Sequence, residues 1–145
     1  MTRTFITLLF AFSLTLGCSK SDNTQVEKQP TKPARGIVKY KDKPLANASV
    51  VFISLDNKVR ATGRTDNVGS FVLSTYGTED GAPPGRYKVT VAVSNIVEVE
   101  PGVLAPEPEG GFKSPIPLKY SNPSTTDILI EVTEGGKNDF TITLN

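Results

Sequence analysis

Thr62-Gly63-Arg64-Thr65-Asp66-Asn67-Val68-Gly69-Ser70-Phe71-Val72-Leu73 reads as strand, tight turn, strand, and this stretch decides the fold class. The side chains of Asp66 and Asn67 can bond nearby backbone groups, which favours a turn, and Gly69 can take the positive φ that closes a short hairpin. A hairpin in mid-chain implies an antiparallel sheet.

Outward from that turn the β pattern continues in both directions. Residues 36–40 form a first strand, followed by a turn at Lys41-Asp42-Lys43-Pro44. Residues 49–54 (Ser-Val-Val-Phe-Ile-Ser) are continuously apolar and β-branched, as suits a strand near the centre of the domain. In Tyr87-Lys88-Val89-Thr90-Val91-Ala92-Val93 the odd positions are apolar and the even ones mostly polar or small, the clearest period-two signal in the chain. Residues 128–132 and 140–144 repeat it on either side of Gly135-Gly136. With arms at 59–65 and 70–73, seven short strands and no convincing amphipathic helix predict an all-β domain of two packed antiparallel sheets.

One long insertion, residues 94–127, interrupts the pattern. It holds Pro101, Pro106, Pro108, Pro115, Pro117 and Pro123, so it cannot pair as a regular central strand. Residues 98–109, acidic and proline-rich, read as solvated. Ile116-Pro117-Leu118-Lys119-Tyr120 is the exception, with alternating apolar residues able to strap across the sandwich.

Composition narrows the chemistry. No histidine means no Ser-His-Asp or Cys-His arrangement and no histidine-ligated zinc. One cysteine excludes an intrachain disulfide, and the absence of tryptophan removes the best stacking platform for sugars or bases. The formal charge is +1, from 16 basic and 15 acidic residues, and becomes zero without Arg3. Such a balance offers no basic field for nucleic acid. No cofactor or metal site is expected.

The N-terminus accounts for the lone cysteine. Met1-Thr2-Arg3-Thr4 carries a positive charge, and the apolar run over 5–16 is about half the roughly 20 residues of a spanning helix, so residues 1–17 read as a secretion signal. Leu14-Thr15-Leu16-Gly17-Cys18 resembles the lipobox of bacterial lipoproteins. The resemblance implies cleavage between Gly17 and Cys18, acylation of Cys18 and anchorage in a lipid bilayer. Thr15 and Leu16 stand where that pattern has leucine and a small residue; the alternative is an ordinary signal peptide, an incidental Cys18 and a secreted domain. Residues 18–33 read as the lipidated cysteine and a flexible tether of roughly 20 Å mean reach. Ser19 is not the aspartate of an inner-membrane retention signal, which favours the outer membrane of the cell envelope.

Four further motifs, in order, carry a family resemblance over residues 34–145. They are Gly36-x-Val38; Lys43-Pro44-Leu45-Ala46-Asn47-Ala48-x-Val50-x-Phe52; Thr65-Asp66-x-x-Gly69-x-Phe71; and Pro84-Gly85-x-Tyr87-x-Val89-x-Val91. Together with Asp80-Gly81-Ala82-Pro83-Pro84-Gly85 and Lys119-Tyr120, they are similar to small bacterial lipoproteins bearing one transthyretin-like, or carboxypeptidase regulatory-like, domain. That resemblance implies a seven-stranded prealbumin-like β-sandwich with a noncatalytic accessory role and no shared ligand.

Physical reading of these motifs expects structural work from them. Gly85 should let the chain reverse into its strand, Tyr87 should pack in the core with its hydroxyl on a backbone acceptor, and Pro44 with Leu45 should close one end of the sandwich. Among functional readings, a calcium site at Asp66, Asn67, Glu79 and Asp80 lacks the ligand spacing of a calcium loop. A polysaccharide site would rest on Tyr76 or Tyr120. An isopeptide bond, as in adhesin-like sandwiches, would need Lys39, Glu131 and Asn138 or Asn145. The favoured expectation is a structural or protein-binding module for an unknown envelope partner, with residues 94–127 and the turn at 75–84 as contact surface.

Overall fold

The computed structural model describes residues 28–94, 98–100, 103–104 and 111–145. Their architecture is all-β, two sheets facing each other across one core. In the first sheet β1 (Ala34–Tyr40) is central, flanked on one side by β10 (Asn138–Leu144). On its other side lie β5 (Ser70–Val72) along the first half and β2 (Lys43–Pro44) along the second. The second sheet runs β4 (Arg60–Arg64), β3 (Ala48–Ser54), β6 (Gly85–Val93), β9 (Leu129–Val132), antiparallel throughout. The seven strands expected from the alternation are all present.

The alternation decides what faces inward. Val38, Ile142 and Leu144 from the first sheet meet Val50, Phe52, Val89 and Val91 from the second, and all are buried. Each such side chain contributes roughly 1.5–3 kcal/mol by leaving water. Phe52 sits at the middle, its ring centroid 5.7 Å from Phe140, 5.8 Å from Tyr87 and 6.2 Å from Phe71, all tilted. Gly36 makes room for this cluster, since a Cβ there would lie 2.9 Å from the Phe71 ring and closer still to the Phe140 carbonyl oxygen.

Two expectations are corrected. First, the sheets are not wholly antiparallel, because β1 and β10 run parallel from Ala34↔Asn138 to Tyr40↔Leu144. A parallel pair requires a crossover, and here almost the whole domain lies between the two strands. Second, the stretch at 62–73 is not a simple hairpin: β4 pairs with β3, and β5 pairs with β1 in the other sheet. Between the arms Thr62 and Ser74 exchange backbone bonds of 2.8 Å, and the turn is closed by Asp66 N–H to Ser70 C=O and Gly69 N–H to Asp66 C=O. The Cβ that Gly63 lacks would lie 2.6 Å from the Val72 carbonyl oxygen, so the chain can cross between sheets only because that position is bare.

The insertion also holds more order than its prolines suggest. β7 (Glu98–Glu100) and β8 (Val103–Leu104) form a small two-stranded sheet. Leu118–Ser121 form one turn of 3-10 helix; Ile116 before it and Tyr120 within it are buried, whereas Leu118 is 74% exposed. The strap is therefore present, but its inward residues are four apart rather than alternating. It fills a gap, because β9 pairs β6 only from Gly85 to Lys88. Beyond that point the Thr126 hydroxyl bonds the Val89 carbonyl at 2.7 Å, and Tyr120 reaches Asn145 at the end of β10.

Candidate functional site

Register fixes two ends. Ala34, Ser54, Leu73, Gly85, Val132 and Asn138 lie at the end where the N-terminal arm enters, and Tyr40, Ala48, Arg64, Val93 and Leu144 lie at the other. The arm is held where it enters. Lys32 and Ala82 exchange backbone bonds of 2.9 and 3.0 Å, the Tyr76 hydroxyl accepts from Gln29 N–H at 3.2 Å, and the Asn57 amide donates to the Gln29 side chain at 2.5 Å. Gly81 has φ +81, and a Cβ on it would collide with the Lys32 carbonyl, so the docking needs that glycine. Residues 28–33 thus lie against the domain. Gly17, Cys18 and the rest of the leader and tether lie outside the described residues.

The turn at 75–84 and the start of the insertion, expected to form one contact surface, lie apart among the described residues. The turn at 75–84 sits at the arm end, whereas the insertion departs from Val93 at the opposite end. That free end is built by the loop from Lys41 to Asn47 and the turn from Asp66 to Gly69. Lys41, Asp42 and Asn47 hold positive φ, and Gly69 packs beside Pro44 and Leu45. Leu45 closes the core there as expected, while Pro44 is exposed. Val68 stands 62% exposed at the tip of the turn.

Two of the three carboxylates named for calcium, Asp66 and Asp80, are occupied by backbone. One Asp66 oxygen accepts from the N–H groups of Val68 and Ser70 at 2.9 and 2.8 Å. Asp80 accepts from Thr75, Tyr76 and Gly77 at 2.7–3.0 Å, and these bonds, chiefly that from Thr75, hold its carboxyl below the ordinary 3.8. Both are turn fasteners. Among the described residues no acidic group of three gathers around a common point.

The tyrosines divide in the same way. Tyr87 is fully buried, donating its hydroxyl to the Pro83 carbonyl at 2.7 Å, and burial pushes its pKa up to about 12. Gly85 before it has φ +147, as the reversal into β6 requires. Tyr120 is 3% exposed, its hydroxyl accepting from Asn145 N–H at 3.0 Å and lying 3.2 Å from the Asn145 carbonyl, so it is no platform for a sugar. Tyr76 is half-buried against the arm. No row of exposed tyrosines exists among the described residues.

Isopeptide chemistry also finds no constellation. Lys39 stands opposite Thr143 and Asn138 opposite Ala34, five steps apart along the ladder, roughly 16 Å. Glu131 lies in the other sheet. The buried Asn138 amide instead ties the turn before β10, accepting from Thr133 N–H at 2.9 Å and donating to its carbonyl at 3.1 Å.

Sequence reasoning missed an open trough of about 600 Å³ on the outside of the β4–β5 corner. Ser49, Thr62, Arg64, Ser70, Thr78 and Glu79 are among its lining. These polar side chains come from both sheets, and only the crossing at Gly63 brings them together. Comparison of the chain with protein-family models, with curated proteins and with solved structures returns no match.

Proposed function

We propose that the protein is a noncatalytic lipoprotein of the cell envelope whose prealbumin-like sandwich binds a protein partner through the end remote from its anchor. The observation that carries this reading is the placement of the arm. It enters and is clamped at one end, and the loop at 41–47, the turn at 66–69 and the departure of the long insertion all fall at the other. Support for the prealbumin-like assignment comes from where its motifs fall. Gly36 and Phe71 meet at the aromatic cluster, Gly85 turns into β6, and Tyr87 spans the core. A rigid scaffold presenting loops at one end is a common platform for recognition. Asp66, Asp80, Asn138 and Tyr87 are each engaged with backbone groups, which supports structural rather than catalytic work for them.

Two measurements test the reading. The intact mass of the protein from its native envelope should correspond to a chain beginning at acylated Cys18; an unmodified chain cut elsewhere makes it a secreted domain and removes the anchor. A photo-crosslinker at Val68 should then capture a discrete envelope protein while one at Lys137, at the arm end, does not. Equal capture from both positions overturns the free-end assignment. A polysaccharide is the rival ligand, favoured only by the hydroxyl-lined trough; glycan binding lost in Arg64→Ala but retained with Val68→Ala would select it.

A further inference from the structure

We propose that β10 pairs edge to edge, antiparallel, with β10 of a second copy of this chain, about a two-fold axis at Thr141. This goes beyond the reading above and does not rest on it. The first observation is that the other edges of the two main sheets are tied or short. β4 and β5 are tied by Thr62 and Ser74, and the outward N–H of Ser70 is taken by Asp66. β2 has two residues, one of them Pro44, and β9 has four. β10 has seven residues without proline or lysine, and an edge of that length without such blunting is a template for another strand.

Parity shows which groups are free. Lys41 N–H bonds the Leu144 carbonyl, so the even positions of β10 bond β1 and those of Asp139, Thr141 and Thr143 point away. Asn145 continues the outward series, and there the Tyr120 hydroxyl meets both backbone groups. Among the described residues no backbone partner meets the other three. Three of the five partly buried core side chains, Ile128, Ile130 and Phe140, lie on this same side of the sandwich, the other two being Tyr40 and Val93 at the free end.

The strand is complementary to itself. With Thr141 opposite its own copy, Asp139 falls opposite Thr143 of the second copy, and each of these pairs exchanges N–H and C=O bonds. On the outer face the row becomes Arg35, Asp139, Thr143 of the second copy, Lys39 of the second copy, so each Asp139 has Arg35 beside it and the lysine of the second copy one strand beyond Thr143, within reach of its long side chain. The threonines at the axis form a favourable cross-strand pair, and each Phe140 is covered by Ile142 of the other copy. A single edge pair is small against the roughly 1,200 Å² of a stable interface, so the dimer is weak in solution.

Sedimentation velocity of the whole mature chain, in detergent if it carries acyl groups, tests this from about 10 μM to about 1 mM. The sedimenting mass should rise toward that of a dimer. Thr141→Pro removes an outward N–H and no bond to β1, so it should stay monomeric with an unchanged melting curve. Thr141→Lys keeps every ladder bond and should also stay monomeric. Lys39→Glu should weaken association about tenfold, and adding Asp139→Lys should restore it. A monomer throughout the range, or a dimer indifferent to both Thr141 variants, overturns the proposal.

Discussion

The two lateral sides of this sandwich are closed by different means. On the β4–β5 side the backbone closes it, as one chain crosses between sheets, tied by Thr62 to Ser74 and by the turn at Asp66. On the β9–β10 side β9 begins only at Leu129, and the irregular segment just before it fills the gap with two side chains, Ile116 and Tyr120. Closure by backbone depends on what a position lacks, and closure by side chains depends on what it carries. The first should break when a methyl is added, the second when a ring is removed.

The largest expected effect is therefore Tyr120→Ala, which takes a buried ring and its bonds to Asn145 out of the seam. It should cost about 3–5 kcal/mol of unfolding free energy in urea. A loss below about 1 kcal/mol would mean that the strap lies on the core without being part of it. Next comes Gly63→Ala, whose new Cβ would meet the Val72 carbonyl at 2.6 Å, a rigid backbone atom. About 1–3 kcal/mol should be lost. If instead the variant is as stable as the parent, the crossing has room to spread and the glycine is not what permits it. Smaller again is Asp66→Ala, removing the acceptor of Val68 and Ser70 N–H, at about 1–2 kcal/mol by the same measurement.

The same contrast explains what could be read from sequence. Strand positions were legible because period-two alternation is local, and the role of Tyr87 was legible because Gly85 and Pro83 frame it in sequence. The partner of each strand was not. The turn at Asp66 is visible in Thr-Asp-Asn-Val-Gly, but whether its arms share a sheet depends on contacts of β4 with β3 and of β5 with β1. Likewise nothing in Phe140-Thr141-Ile142 announces a parallel neighbour a hundred residues earlier. Tyr120 belongs to the strap expected from Ile116-Pro117-Leu118-Lys119-Tyr120, and only the polysaccharide reading needs it exposed. Its burial follows from a one-turn helix placed over a gap that exists only because β9 is short. Gln29 falls in the stretch read as tether, and its contact with Asn57 becomes visible only when Gly81 lets the arm approach.

Titration gives the finest comparison. Asp80 follows β5, on the side closed by backbone, and its carboxyl is held below 3.8 by backbone N–H groups. A group whose pKa is depressed by folding adds stability that is present above its unfolded value and lost as pH falls through the folded one. Tyr87 pairs with Ile130 of β9, on the other side, and burial raises its pKa to about 12. Its contribution has the opposite sense, complete below about 10 and lost as pH rises through about 12. Melting temperature should therefore fall at both extremes for different reasons, and Asp80→Asn should flatten part of the acid limb while leaving the alkaline limb alone. Because Asp80 is near the surface the acid change is small, a degree or two at about pH 3. An acid limb identical in the variant would assign that loss to other carboxylates, and the turn at Thr75 would then owe its shape to Gly77 and Gly81 rather than to charge.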